Sequence, residues 1–104
     1  MKKEEMKQVT EALEAEAEVK DPSLFQVMLR NDDFTPMEFV IGVLEKFFSM
    51  DRKRATEIML EAHAQGIAAC GIFTKDVAET KISLVTEHAK NNEVPLHCIM
   101  EVAR

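Results

Sequence analysis

Asn31, Asp32 and Asp33 stand side by side in NDDFTPMEF (residues 31–39), between an apolar run, LFQVML (24–29), and a segment patterned like a core helix. Asn and Asp are the usual residues of turns and helix caps, and one reading of the cluster is that it makes the turn into the helix. Thr35 already fits the cap, however, so a carboxamide and two carboxylates exceed what one turn requires. General acid–base work is a poor fit, because adjacent residues of an extended chain point opposite ways and do not flank one substrate bond. Several acceptors on a short connection between rigid elements suit a cationic ligand group, and such connections are where binding groups are commonly held.

His63 lies four residues after Met59, so both project from one side of a helix. It reads either as a structural histidine or as a neutral imidazole acceptor beside a thioether. Of the seven methionines, Met28 reads as core filler, whereas Met37 falls beside the acceptors, where a flexible thioether can form one wall of a side-chain pocket. His97 and Cys98 are neighbours on a strand pattern and face opposite ways, so no metal site is expected. Cys70 with His63 is the one enzyme hypothesis, but it lacks a third member and a glycine-rich oxyanion loop. Neither catalysis nor a cofactor is therefore expected.

These residues must be positioned by their elements. Leu24 to Arg30 reads as a strand. Thr35 as N-cap, Pro36 in the first helical position and Glu38 as the reciprocal member of a capping box start a helix. Its stripe of Met37, Val40, Ile41, Leu44 and Phe48 is widened by Phe39, Val43 and Phe47. Asp51 caps a second helix with Ala55, Ile58, Met59 and Ala62 on one face, and Gly66 stops it. AACGIFT (68–74) is too short for a helix and reads as a strand. Thr74 opens a third helix through Ala78, Ile82, Val85 and Ala89, and PLHCIMEV (95–102) is the last strand. The order β-α-α-β-α-β predicts an α+β fold, a three-stranded, mainly antiparallel sheet with three helices packed on one face.

With 104 residues the chain supports one domain and one core. Residues 1–20 are rich in Glu, Lys and Ala without an apolar stripe, and Asp21-Pro22 closes them off, since a residue before proline is pushed out of the helical region. Residues 1–22 are thus expected to be a flexible acidic extension and 23–104 the folded domain. A net charge of −6 with neither Trp nor Tyr argues against a nucleic-acid partner, whose phosphates need a basic surface. No apolar run approaches the length of a membrane span, no secretory signal is visible, and two distant cysteines fit a reducing compartment. A cytoplasmic location is the expectation.

The strings NDDFTPMEFVI, VLEKFF, RATEIMLEAHAQGIAACGIFT, VAETK and PLHCIMEVA closely resemble the ClpS family, adaptors of the Clp AAA+ proteases, over residues 24–102. The resemblance implies a domain that binds the N-terminus of a protein whose first residue is Leu, Phe, Tyr or Trp, the N-end rule signal. It also implies delivery of that protein to a ClpA-like unfoldase for ATP-dependent degradation. Carried over, Asn31, Asp33 and His63 receive the α-ammonium with Asp32 and Thr35 supporting the loop, while Met37, Val40, Met59, Ala62 and Leu96 line the pocket. Asp76 and Lys81 contact the protease partner. Asp76 stands where the family usually has Glu, and Ala62 where a larger apolar residue can stand. The residues themselves leave a second possibility open, a scaffold module that binds internal basic or apolar peptide segments.

Overall fold

The structure is a computed structural model that describes residues 23–103. The expected extension, residues 1–22, lies outside the described residues. The elements follow the order β1 (Leu24–Arg30), α1 (Met37–Phe48), α2 (Arg52–Gln65), β2 (Ile67–Thr74), α3 (Lys75–Asn91) and β3 (His97–Val102). The three strands form one antiparallel sheet in the order β2-β1-β3. Central β1 sends Val27 and Leu29, both fully buried, into the core that α1, α2 and α3 close with Val40, Val43, Leu44, Ala55, Ile58, Ala78 and Val85. Met28 points to the opposite face between its cross-strand partners Ala69 and Ile99. Each such Leu or Val is worth roughly 1.5–3 kcal/mol relative to exposure, so this shared core holds sheet and helices together.

Local signals place the helix ends. The Asp51 carboxylate accepts from the Arg54 amide at 2.8 Å and starts α2. Gly66 ends it at φ 85°, a left-handed conformation that glycine adopts at no steric cost. The buried face of α2 is Ala55, Ile58, Met59 and Ala62, the four residues that its spacing marks. In β2 the register slips between Val27 and Met28: Val27 pairs with Gly71 and Met28 with Ala69, leaving Cys70 as the extra residue of a bulge.

Four local expectations are corrected. Thr35 does not cap α1: the N-cap position is Pro36, without a side-chain cap bond, and its carbonyl accepts from the amides of Phe39 and Val40 at 3.1 and 3.3 Å. The capping box is absent as well, since the Glu38 carboxylate reaches Arg52 at 2.6 Å instead. The cause is the turn before the helix, in which the Thr35 amide donates to Asp32 O at 3.0 Å and the Thr35 side chain folds inward, only 7% exposed. Met37, expected in the core stripe, is 45% exposed, because the buried stripe starts one turn later at Val40. Finally, β3 begins at His97 rather than Pro95, as a residue without an N–H gives nothing to a ladder.

Candidate functional site

Register brings the candidate residues to one end of the sheet. Arg30, the last residue of β1, pairs with Ile67 on one side and with His97 on the other. The next residue outward on each strand is therefore Asn31 after β1, Gly66 before β2 and Leu96 before β3. The loop to α1 leaves from Asn31, and the last turn of α2, carrying His63, ends at Gly66. A hydrogen bond from the Asn31 amide to Gly66 O, 3.0 Å, ties loop and helix end together. Residues from positions 31–37, 59–66 and 96, remote in sequence, thus share one end of the molecule.

Within the loop, Asp32 Oδ1 accepts from the Phe34 amide at 2.8 Å while Asp32 O accepts from the Thr35 amide. One oxygen of Asp32 is therefore committed to holding the turn. Asp33 is exposed, and neither aspartate pairs with a cation among the described residues. Asn31 is half-buried and His63 exposed in the last turn of α2. The Thr35 hydroxyl is buried with no hydrogen-bond partner among the described residues. Leaving a buried donor unmade costs about 1–3 kcal/mol.

The expected pocket residues differ in exposure. Val40, Met59, Ala62 and Leu96 belong to the core cluster and are only 1–5% exposed. Met37 alone among the expected pocket residues is open to solvent. The sheet end brings together the carboxamide of Asn31, the carboxylate of Asp33 and the last turn of α2 with His63, and the register sets the buried Leu96 beside Asn31. Such a site suits a ligand with a cationic end and a greasy side chain.

The remaining candidates lie elsewhere. Asp76 is exposed in the first turn of α3, where a carboxylate is favoured by the helix dipole. It lines a shallow groove with Val77, Thr80, Lys81 and Leu84, of which Val77 and Leu84 are each 43% exposed. The Lys81 ammonium donates to Phe47 O at 2.6 Å and lies 5.6 Å from the ring centres of both Phe48 and Phe73. It therefore closes the C-terminal end of α1, a contact across 34 positions that no local sequence pattern announces.

Cys70 does not have the character of a nucleophile. Burial, reinforced by the nearby Cys98, pushes its thiol up to about 12, and burial does the same to Cys98. A thiol so placed is protonated near neutral pH and unreactive. Among the described residues no group of three or more His, Cys, Asp or Glu is placed to hold a metal ion, and no helix is long and apolar enough to cross a membrane.

The family model described as "ATP-dependent Clp protease adaptor protein ClpS" matches residues 20–99. The chain is 60% identical over 85 residues to the ATP-dependent Clp protease adapter protein ClpS of Enterobacter sp. (strain 638), covering 82% of this chain and 80% of that one. It is 56% identical over 90 residues to the ClpS of Methylococcus capsulatus (strain ATCC 33009 / NCIMB 11132 / Bath), covering 86% and 85%. Among solved structures, that of Agrobacterium tumefaciens ClpS2 bound to L-phenylalaninamide superposes with a TM-score of 0.78 at 38% identity, covering 80% of this chain and 100% of that one. This chain belongs to the ClpS family of ATP-dependent Clp protease adaptor proteins.

Proposed function

We propose that this adaptor binds proteins through a free N-terminus that begins with Leu, Phe, Tyr or Trp and delivers them to a ClpA-like AAA+ unfoldase. Asn31, Asp33 and His63 accept hydrogen bonds from the α-ammonium, Asp32 and Thr35 hold the loop, and the first side chain enters between Met37, Val40, Met59, Ala62 and Leu96. The observation that carries this reading is the convergence of Asn31, the His63 turn and Leu96 at one sheet end, fastened by the bond from the Asn31 amide to Gly66 O. Magnitudes are sufficient. Burial of one Leu or Phe side chain contributes about 1.5–3 kcal/mol and each hydrogen bond to a charged group about 1.5–3, together enough for a complex near −8 kcal/mol, or roughly micromolar.

On this reading Asp76, exposed beside the apolar residues Val77 and Leu84, contacts the unfoldase directly. Lys81 acts there chiefly through its hold on the end of α1. The experiment that tests the function is a titration with a Leu-starting peptide whose α-amine is free and with the same peptide acetylated. A scaffold for internal segments binds both alike; the proposed adaptor binds only the first well.

A further inference from the structure

Phe34 is the most exposed large apolar residue in the described structure, at 84%. It contributes nothing to the core, yet it is held in place: its amide donates to Asp32 Oδ1 at 2.8 Å, and the turn closes with the Thr35 amide on Asp32 O. Its Cα is one peptide step, about 3.8 Å, from that of Asp33, one of the proposed ammonium acceptors. Three residues further on stands Met37, the other exposed apolar residue of this rim, at 45%.

We propose that Phe34 is a specificity residue for the second position of the bound chain, packing against an apolar or aromatic side chain there. The inference rests on the N-terminal-recognition reading of the site and extends it outward by one residue. With the ammonium fixed by the acceptors and the first side chain turned into the apolar wall, the second Cα lies about 3.8 Å from the first and on the solvent side. The side chain it carries passes over the rim, where the loop presents Phe34 and Met37. A ring held by its backbone but unpacked gains apolar contact at little ordering cost, because the turn has already fixed its main chain.

The test is fluorescence anisotropy with Leu-Val-, Leu-Phe- and Leu-Ser-starting peptides of otherwise identical sequence, on the full chain and on the Phe34→Ser and Phe34→Tyr variants. The parent is expected to bind the Val and Phe peptides about fivefold more tightly than the Ser peptide, the return on roughly 40 Å² of apolar contact. Phe34→Ser should bring that ratio to about one while changing affinity for the Leu-Ser peptide less than about twofold, and Phe34→Tyr should keep the ratio. Removing so exposed a ring leaves the core untouched. A parent that binds all three peptides equally, or a Phe34→Ser variant that retains the preference, overturns the inference alone. Failure of the parent to bind any of them overturns the N-terminal reading and this inference with it.

Discussion

Met37 keeps 45% of its surface in water at the start of a helix whose next turn is buried, an arrangement with no value to the core. As the proposed rim of the pocket it crowds the region beside the ligand backbone, where a β-branched first residue carries its extra methyl. Met37→Ala should therefore admit Ile- and Val-starting peptides at least about tenfold better than the parent, at a stability cost well below the 2–5 kcal/mol of a buried Met→Ala change. Competition binding with Ile-starting peptides checks this, and unchanged discrimination would move the gate elsewhere. His63, exposed in the last turn of α2, can accept from an ammonium only while neutral. His63→Ala should therefore weaken binding of a Leu-starting peptide at least about fivefold, read by fluorescence anisotropy, and unchanged affinity would remove His63 from the acceptor set. At this scale the candidate residue types were legible in the sequence, but their roles were less so. S/T-x-x-E is a pattern of residue types; it does not reveal that Asp32 would take the turn and draw the Thr35 amide away from the helix end.

The elements were read well where the signal is local. Asp51 caps α2, Gly66 ends it in a left-handed conformation, and the buried face of α2 matches its spacing. Strand β1 has the expected bounds. The misses are non-local or concern a single residue. A bulge at Cys70 leaves no trace in an apolar run too uniform to show alternation. The tie from Lys81 to Phe47 O joins α3 to the end of α1 only after the sheet has brought them together. That tie makes a prediction: Lys81→Met, which keeps most of the stem and loses the ammonium, should lower stability by about 1–2 kcal/mol through a lost charge-assisted hydrogen bond, read from urea denaturation. If stability is unchanged while unfoldase binding falls, Lys81 is a direct contact and its hold on α1 is incidental.

For the whole molecule, the proposed pocket and the groove at Asp76 occupy different regions, the first at the end of the sheet and the second along α3. On the proposed reading, substrate and unfoldase are held at once. The pocket draws only on residues 31–96, so deleting residues 1–20 should leave peptide affinity within about twofold of the parent, as expected for changes remote from a site. Delivery should nonetheless be lost, because an extended twenty-residue segment reaches up to roughly 70 Å, enough to engage a pore while the domain stays docked. Reconstituted degradation of a Leu-starting reporter checks this, and full acceleration by the truncated protein would assign delivery to the folded domain. The binding and delivery expectations depend on recognition of a free N-terminus, and one measurement addresses it most directly: the affinity of a Leu- or Phe-starting peptide, by fluorescence anisotropy, with its α-amine free and then acetylated. Acetylation removes the charge that Asn31, Asp33 and His63 are proposed to accept, and a loss of at least about tenfold, equivalent to 1.4 kcal/mol, is the predicted result. Equal binding of the two forms would contradict the account.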